Sequence, residues 1–190
     1  MRANRLIPVA VLAFAAACSD TATSPTLTSV GGPLSNVEVK TYGDVNALST
    51  NTPSGGHLQS GSIGCTVNAD QELSCSAYEV AGIGHTNAVL SLVSTYSATI
   101  DCNNPGNNRN NPIESHTSTF SAATTVPLTS SRNGRLRVPV VSADPFDAPQ
   151  VCPNDKWTPE IRDGTLELVS FTYTLTFEGF TSAAVTIQAP

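Results

Sequence analysis

The stretch AVLSLVSTYSATIDC, residues 88–102, decides the fold of this chain. One set of alternate positions holds larger apolar residues, which are Leu90, Leu92, Tyr96, Ala98 and Ile100. The other set, in which hydroxyl residues predominate, consists of Val89, Ser91, Val93, Thr95, Ser97, Thr99 and Asp101. A repeat of two residues is typical of a β-strand that buries one of its faces. Residues 88–102 therefore predict a long strand at the centre of a hydrophobic core.

A second long strand is predicted near the C-terminus, where VSFTYTLTF spans residues 169–177. Its predicted inward residues are Val169, Phe171, Tyr173, Leu175 and Phe177. Shorter strands are predicted at residues 62–68, 72–80, 115–128, 135–142 and 183–189. Turn sequences separate them, such as RNGR at residues 132–135, whose Asn-Gly pair predicts a type I′ turn with two positive φ angles.

No stretch has a 3.6-residue apolar period of helical length, and Ser and Thr are abundant where a helix favours Ala, Leu and Glu. The predicted fold is all-β: an antiparallel β-sandwich, immunoglobulin-like in the broad sense, with about seven or eight strands.

The N-terminus, MRANRLIPVAVLAFAAAC, has the pattern of an export signal. Arg2 and Arg5 accompany an apolar run that is shorter than the roughly 20 residues a permanent bilayer span needs. We expect residues 1–17 to be a signal peptide that is removed on export.

The end of this signal, AAAC at residues 15–18, resembles the lipobox of bacterial lipoproteins, although Ala15 stands where that family usually has leucine. The resemblance implies lipid attachment at Cys18. Because Ser19 rather than an aspartate follows, it also implies the outer membrane or the cell surface. More than one acyl chain gives stable anchoring. The alternative is an ordinary secretory signal, which would leave a secreted or periplasmic protein with a free thiol at Cys18.

Residues 18–57 are rich in Ser, Thr, Gly and Pro and predict a flexible tether, with one candidate edge strand at residues 37–42, VEVKTY. Residues 58–190 are long enough for one domain with a sizeable core.

Four cysteines lie in that domain: Cys65, Cys75, Cys102 and Cys152. An even count in an exported chain predicts two disulfides, for which three pairings are possible. Cys65 and Cys75 flank a predicted hairpin turn, NADQ, so they should face each other across neighbouring strands. Cys102 would then pair with Cys152. A zinc site is the alternative, but the spacings lack the usual C-x-x-C pairs.

Catalytic and metal-binding motifs are scarce in this sequence. It contains neither H-E-x-x-H nor G-x-S-x-G, and we expect no enzyme activity and no cofactor. The net charge of −6 disfavours nucleic acid as a partner. Acidic residues gather within residues 144–163, namely Asp144, Asp147, Asp155, Glu160 and Asp163. Without the D-x-D-x-D-G spacing, a calcium site and a solvated loop both stay open for them.

Three short elements, AGIG at residues 81–84, CNNPGNN at 102–108 and CPNDKWT at 152–158, together resemble a family of uncharacterised secreted, β-rich bacterial proteins. The resemblance covers residues 80–177 and implies no particular activity. Trp157 has two interpretations: a core plug beside a disulfide, or an exposed ring that stacks on a sugar. The loop CNNPGNNRNNP, residues 102–112, is predicted to be a mobile, exposed connection, because Asn, Gly and Pro favour turns. A binding loop is the alternative, since sandwich folds often place their sites on loops.

These features predict an exported, lipid-anchored envelope protein with a binding or structural surface role. The alternative is a carbohydrate-binding or hydrolase-accessory module that uses Trp157. The expected partners are the membrane, through the N-terminal lipid, and a protein or glycan at the cell surface.

Overall fold

The computed structural model describes residues 39–45, 47–106, 112–143 and 147–189, and in these residues the chain is all-β with no helix. The signal, Cys18 and residues 107–111 of the asparagine-rich loop lie outside them. No helix in the described part is long and apolar enough to cross a bilayer. The first six strands are β1 (Lys40–Val45), β2 (His57–Gly61), β3 (Ile63–Val67), β4 (Leu73–Cys75), β5 (Tyr78–Ala81) and β6 (Ala88–Asn103). The other six are β7 (Glu114–Leu128), β8 (Leu136–Val138), β9 (Val141–Ala143), β10 (Thr158–Ile161), β11 (Glu167–Phe177) and β12 (Val185–Ala189).

The large sheet is five-stranded and antiparallel, and β6 is at its centre, as the alternation in residues 88–102 predicts. Along one edge, β6 pairs with β7 over fifteen consecutive residue pairs without a bulge. Along the other edge it pairs first with β11 and then, near its C-terminal end, with β10. Strand β12 completes the sheet beside β11.

The second layer consists of two smaller antiparallel sheets, in the orders β1-β3-β4-β9 and β2-β5-β8. The chain runs from β2 into β3, from β4 into β5 and from β8 into β9, so three strands cross both sheets and each is interrupted once. At one break the Ser76 N–H donates to the Gly64 carbonyl over 2.9 Å, and the Ser76 hydroxyl donates to the Ser62 carbonyl. At another, Pro139 has no N–H for the ladder.

These interruptions divide the expected strands 72–80 and 135–142. Together with β1, β2 and β10, which lie outside the seven strands predicted in the domain, this gives twelve strands in the described residues rather than about seven or eight, while the all-β antiparallel prediction is confirmed.

The core lies between the two layers. The inward residues of β6 and β11 pack with those of the smaller sheets in a single cluster that includes Leu90, Leu92, Tyr173, Leu175, Ile63, Val80 and Leu136. The core prediction is wrong for one residue, Val169, which is 42% exposed. The β6–β11 register shifts between Leu168 and Ser170, and this bulge turns Leu168 toward the core instead.

Both predicted disulfides are present, Cys65–Cys75 and Cys102–Cys152. Cys65 lies directly opposite Cys75 in the β3–β4 ladder. The turn between them is closed by Asn68, whose side-chain amide donates to Glu72 Oε2 over 2.7 Å while its Oδ1 accepts the Glu72 N–H over 2.9 Å.

The RNGR turn differs from the prediction. Its Gly134 N–H donates to the Ser131 carbonyl over 3.0 Å. Gly134 has a φ of 69°, whereas Asn133 is not in the positive-φ region, so this is not a type I′ turn. The turn also does not close a hairpin, because it leads from β7 in the large sheet to β8 in a small one.

The folded unit begins before the expected boundary at Leu58. Strand β1 pairs with β3 as an edge strand and includes residues 40–42 of the expected 37–42, of which 37 and 38 lie outside the described residues. Beyond it, the Ser49 N–H donates to the Ala184 carbonyl over 3.0 Å, and the Leu48 side chain packs against the core. These contacts attach residues that composition alone assigns to a tether.

Candidate functional site

The outer face of the large sheet presents rows of hydroxyl groups to solvent. We call it the hydroxyl face and define it by the outward residues of three strands. Its hydroxyl members are Ser91, Thr95, Ser97 and Thr99 on β6, Thr117, Thr119, Ser121 and Thr125 on β7, and Ser170, Thr172, Thr174 and Thr176 on β11. Val89, Val93 and Ala123 are its apolar members.

The strand register aligns these residues across the sheet. Thr125 on β7 lies opposite Ser91 on β6, which lies opposite Thr174 on β11, and Thr186 on β12 extends that row. Neighbouring strands are about 4.8 Å apart, and outward residues recur about every 6.6 Å along a strand. From Val89 to Thr99, β6 alone is about 33 Å long at the usual rise per residue. The face is thus a long, regular array rather than a pocket.

Apart from Glu167, which lies opposite Ser97 at the charged end, the hydroxyl face carries no ionisable side chain between Val89 and Thr99 of β6 and their neighbours. Protein surfaces usually mix acidic and basic residues, and this chain as a whole has a net charge of −6. Among the array are two large apolar side chains, Val89 and Val93, each 41% exposed. The face therefore combines neutral hydrogen-bonding groups with methyl groups.

A charged cluster closes one end of this face. Two guanidinium nitrogens of Arg162 donate to the Asp101 carboxylate over 3.1 and 2.7 Å, and one also donates to the Ser115 hydroxyl over 2.8 Å. The Ser115 hydroxyl in turn donates to Asp101 over 2.7 Å. The hydrogen bond from Arg162 is the main reason why the pKa of Asp101 lies below its usual value. Asp101 and Arg162 neutralise each other, whereas Glu160 opposite Asp101 and Glu167 opposite Ser97 leave this end of the face acidic.

Trp157 lies beside this end, one residue before β10. It is half-buried, and its backbone N–H donates to the Asn154 carbonyl over 3.0 Å. Thr158 pairs with Asn103, which is 8% exposed and donates to Glu160 over 3.1 Å. The Asn103 Oδ1 atom is buried without a hydrogen-bond partner. Half-burial fits neither a fully buried plug nor a fully exposed sugar platform, so both interpretations of Trp157 stay open.

A polar cleft of about 370 Å³ opens on the second layer, where Thr129, Ser131 and Asn133 line it together with an ion-pair cluster. Glu79 accepts from Arg135 over 2.9 Å and from Arg137 over 3.3 Å. One Glu79 carboxylate faces two guanidinium groups, so the cluster keeps a net positive charge, which lies on the exposed Arg137 side chain.

Two buried tyrosines lie in the core. The Tyr173 hydroxyl donates to the Tyr78 hydroxyl over 3.1 Å. Burial raises the pKa of both phenols, that of Tyr173 to about 12, so both are neutral at ordinary pH. Shielded from solvent, this pair serves the fold.

The structure gives the acidic residues no metal-site geometry. In the described part of the chain, no three His, Cys, Asp or Glu side chains come together as metal ligands. Asp144 lies outside that part.

Comparison with protein-family models, with curated proteins and with solved structures found no match to this chain. The resemblances to a lipobox and to secreted β-rich proteins therefore stay predictions, and the site is argued from its own geometry.

The hydroxyl face was not predicted from the sequence. Its residues are the polar halves of the same alternating strands that predict the core. What could have indicated it is the absence of Lys, Arg, Asp and Glu from all the outward positions of residues 88–99 and 117–127.

Proposed function

We propose that this protein is an exported binding protein of the cell envelope and that its hydroxyl face binds an extended, neutral polysaccharide. It acts by binding rather than by catalysis. The observation that carries the proposal is the uncharged, regularly spaced array of Ser and Thr on a sheet face some tens of ångströms long.

The chemistry of the face matches that of a polysaccharide chain. Each hydroxyl of Ser or Thr both donates and accepts hydrogen bonds, as each sugar hydroxyl does. The methyl groups of Thr, Val89 and Val93 offer apolar area to the C–H faces of sugar rings. Away from Glu167 at its end, the face has no charge that would favour an ionic partner, and its length favours an extended ligand over a small one.

Two further features support the proposed location. The two disulfides indicate an oxidising, extracytoplasmic compartment. Lipid attachment at Cys18, implied by the lipobox resemblance, would hold the protein at the outer membrane or the cell surface. Cys18→Ser should release the protein from the membrane fraction or block its processing. A Cys18→Ser protein that stays with the membrane, together with a wild-type mass lacking acyl chains, would refute the anchor.

The binding test compares the same charge on the two layers. Thr172 lies in the hydroxyl face, opposite Val93, whereas Thr66 is exposed on β3 in the second layer. Thr172→Arg puts an unpaired charge under the ligand and should weaken binding to an immobilised neutral glucan by about tenfold or more. Thr66→Arg should leave binding unchanged. Wild-type binding should also vary little with salt, because no ion pairs form.

Equal losses in both variants would refute the hydroxyl face as the site, as would preferred binding to a carboxylated polysaccharide of the same length.

A second candidate site lies at the Trp157 end, favoured by a half-buried indole one residue before Thr158, which pairs with Asn103 and its unpaired Oδ1. At this site a short glycan would stack on the exposed part of the Trp157 ring. Trp157→Ala separates the two candidates, because it should abolish glycan binding at this site and leave binding at the hydroxyl face intact.

A further inference from the structure

Strand β7 has an unpaired edge. It pairs with β6 on one side, and no strand pairs with its other side in the described part of the chain. Natural edge strands are usually short, bulged or charged, because an open edge invites another strand. Strand β7 has fifteen residues, a register without bulges, and no Asp, Glu, Lys or Arg after Glu114.

The hydrogen bonds of β6 determine which N–H and C=O groups of β7 are free. The Thr99 N–H donates to Thr165, and its carbonyl accepts from the Arg162 N–H, so Thr99 faces the β10–β11 side. Its neighbours Ala98 and Ile100 therefore face β7, where they pair with Ser118 and His116. Even-numbered residues of β7 thus bond to β6, and odd-numbered residues from 115 to 125 point their N–H and C=O groups outward.

Pro127 agrees with this assignment. A proline has no N–H, and it is tolerated in a strand where that N–H would face solvent. Pro127 is odd-numbered and pairs with Val89 of β6. It is the single interruption of the open edge and lies near one end of it.

The inner face of β7 is also incompletely covered. The inward residues of β6 are all buried, whereas those of β7 from Glu114 to Val126 are only half-buried. Phe120 is one of these, and its ring stacks on Tyr96 of β6 with centroids 6.1 Å apart. The open backbone edge and the half-covered inner side both indicate a missing neighbour beyond β7.

We infer that the missing neighbour is a second copy of this chain, paired antiparallel through β7 about a two-fold axis at Phe120. This inference is independent of the proposed ligand. In that register the two Phe120 rings face each other and continue the Tyr96–Phe120 stack across the interface, and such cross-strand aromatic pairs are stabilising. The two large sheets then form one continuous sheet.

The sequence of β7 is complementary to itself in this register. Glu114 lies opposite Val126 of the second copy, so no like charges face each other. Ile113, which is 47% exposed, lies opposite Pro127, so the position without an N–H meets an apolar partner at the end of the pairing. A two-fold interface of this kind closes on itself as a dimer and leaves no further β7 edge exposed.

The test is disulfide trapping of the exported full-length protein in its own membrane, read on a non-reducing gel with the wild type as background. At the two-fold axis, residues 120 of the two copies form a non-hydrogen-bonded pair with Cα atoms about 4.5 Å apart, which suits a disulfide. Phe120→Cys should therefore shift most of the protein to twice its mass. Ala122→Cys is the matched control, because the two residues 122 are offset by about 13 Å along the strands and should stay unlinked.

A third variant tests the edge itself. Adding Ser121→Pro to Phe120→Cys removes one outward N–H, no backbone bond to β6 and one surface contact, the 3.1 Å hydroxyl pair with Thr95, so the dimer band should be lost while the native disulfides still form. The inference is overturned if Phe120→Cys stays monomeric, if Ala122→Cys is linked to the same extent, or if the added proline leaves the dimer band unchanged.

Discussion

Two glycines of the AGIG segment form a matched pair for testing the fold. Gly82 has a φ of 78° and Gly84 a φ of 63°, and both are exposed. A Cβ on Gly82 would lie 2.1 Å from the carbonyl oxygen of Gly55, whereas a Cβ on Gly84 would meet nothing within 4 Å. Alanine at either site incurs the left-handed backbone cost of about 1–2 kcal/mol. A less flexible unfolded chain offsets about 0.4–1 kcal/mol of it.

Only Gly82→Ala adds a backbone clash, and the neighbouring turn must shift to relieve it. The Gly55 oxygen lies 3.0 Å from His57 Nδ1 at the start of β2, so that shift would disturb this contact too. Forced repacking of this kind costs about 1–3 kcal/mol. We therefore expect Gly84→Ala to lower the free energy of unfolding by about 1 kcal/mol and Gly82→Ala by about 2–4 kcal/mol.

Differential scanning calorimetry of both variants checks the difference. At roughly 2–4 °C per kcal/mol for a domain of this size, Gly82→Ala should melt about 5–15 °C below the wild type and Gly84→Ala only a few degrees below. Equal melting temperatures for the two variants would contradict the close packing of residues 53–56 on residue 82.

Three further predictions concern stability. Replacing Cys102 and Cys152 by alanine removes a disulfide with a sequence separation of 50 residues and should lower the free energy of unfolding by about 4 kcal/mol, as measured by chemical denaturation. An unchanged free energy of unfolding would show that this disulfide does not form. Tyr78→Phe leaves the buried Tyr173 hydroxyl without its acceptor and should cost about 1–3 kcal/mol. Because the folded pKa of Tyr173 is raised to about 12, its contribution is complete below the unfolded value of 10.0 and is lost as pH rises from there toward 12. A melting temperature that stays flat from pH 9 to about pH 11.5 would contradict the buried pair. The pKa of Asp101 is lowered, so its contribution is present above the unfolded value of 3.8 and is lost as pH falls through the folded pKa. Asp101→Asn should remove this part of the acid dependence, and an unchanged acid melting curve would argue against the ion pair.

Much of the fold is predictable from the sequence because burial imposes a visible period. The apolar half of residues 88–102 identifies the central strand, and a short turn between Cys65 and Cys75 identifies their disulfide. The strand breaks are less visible. In the sequence Ser76 looks like an ordinary strand residue. Only the structure shows that its hydroxyl donates to the Ser62 carbonyl at the break between strands. The bulge that exposes Val169 likewise depends on the register with β6, which one strand cannot encode alone.

The candidate site is harder to predict than the core. Ser and Thr on alternate positions are expected of any solvent-facing strand, so each strand alone carries no functional signal. The signal arises when register brings Thr125, Ser91 and Thr174 into one row, and pairing between distant segments determines that register. The open edge of β7 depends on topology in the same way, because its sequence does not tell which side lacks a partner.

The most direct test of the hydroxyl face is radical footprinting of side chains with and without a saturating neutral glucan. Val93 is 41% exposed within the face, and Val140 is 60% exposed on the second layer. If the face binds the polysaccharide, oxidation of Val93 should fall on binding while oxidation of Val140 stays constant. Binding with unchanged Val93 oxidation, or with protection of Val140 instead, would contradict the hydroxyl face as the binding surface.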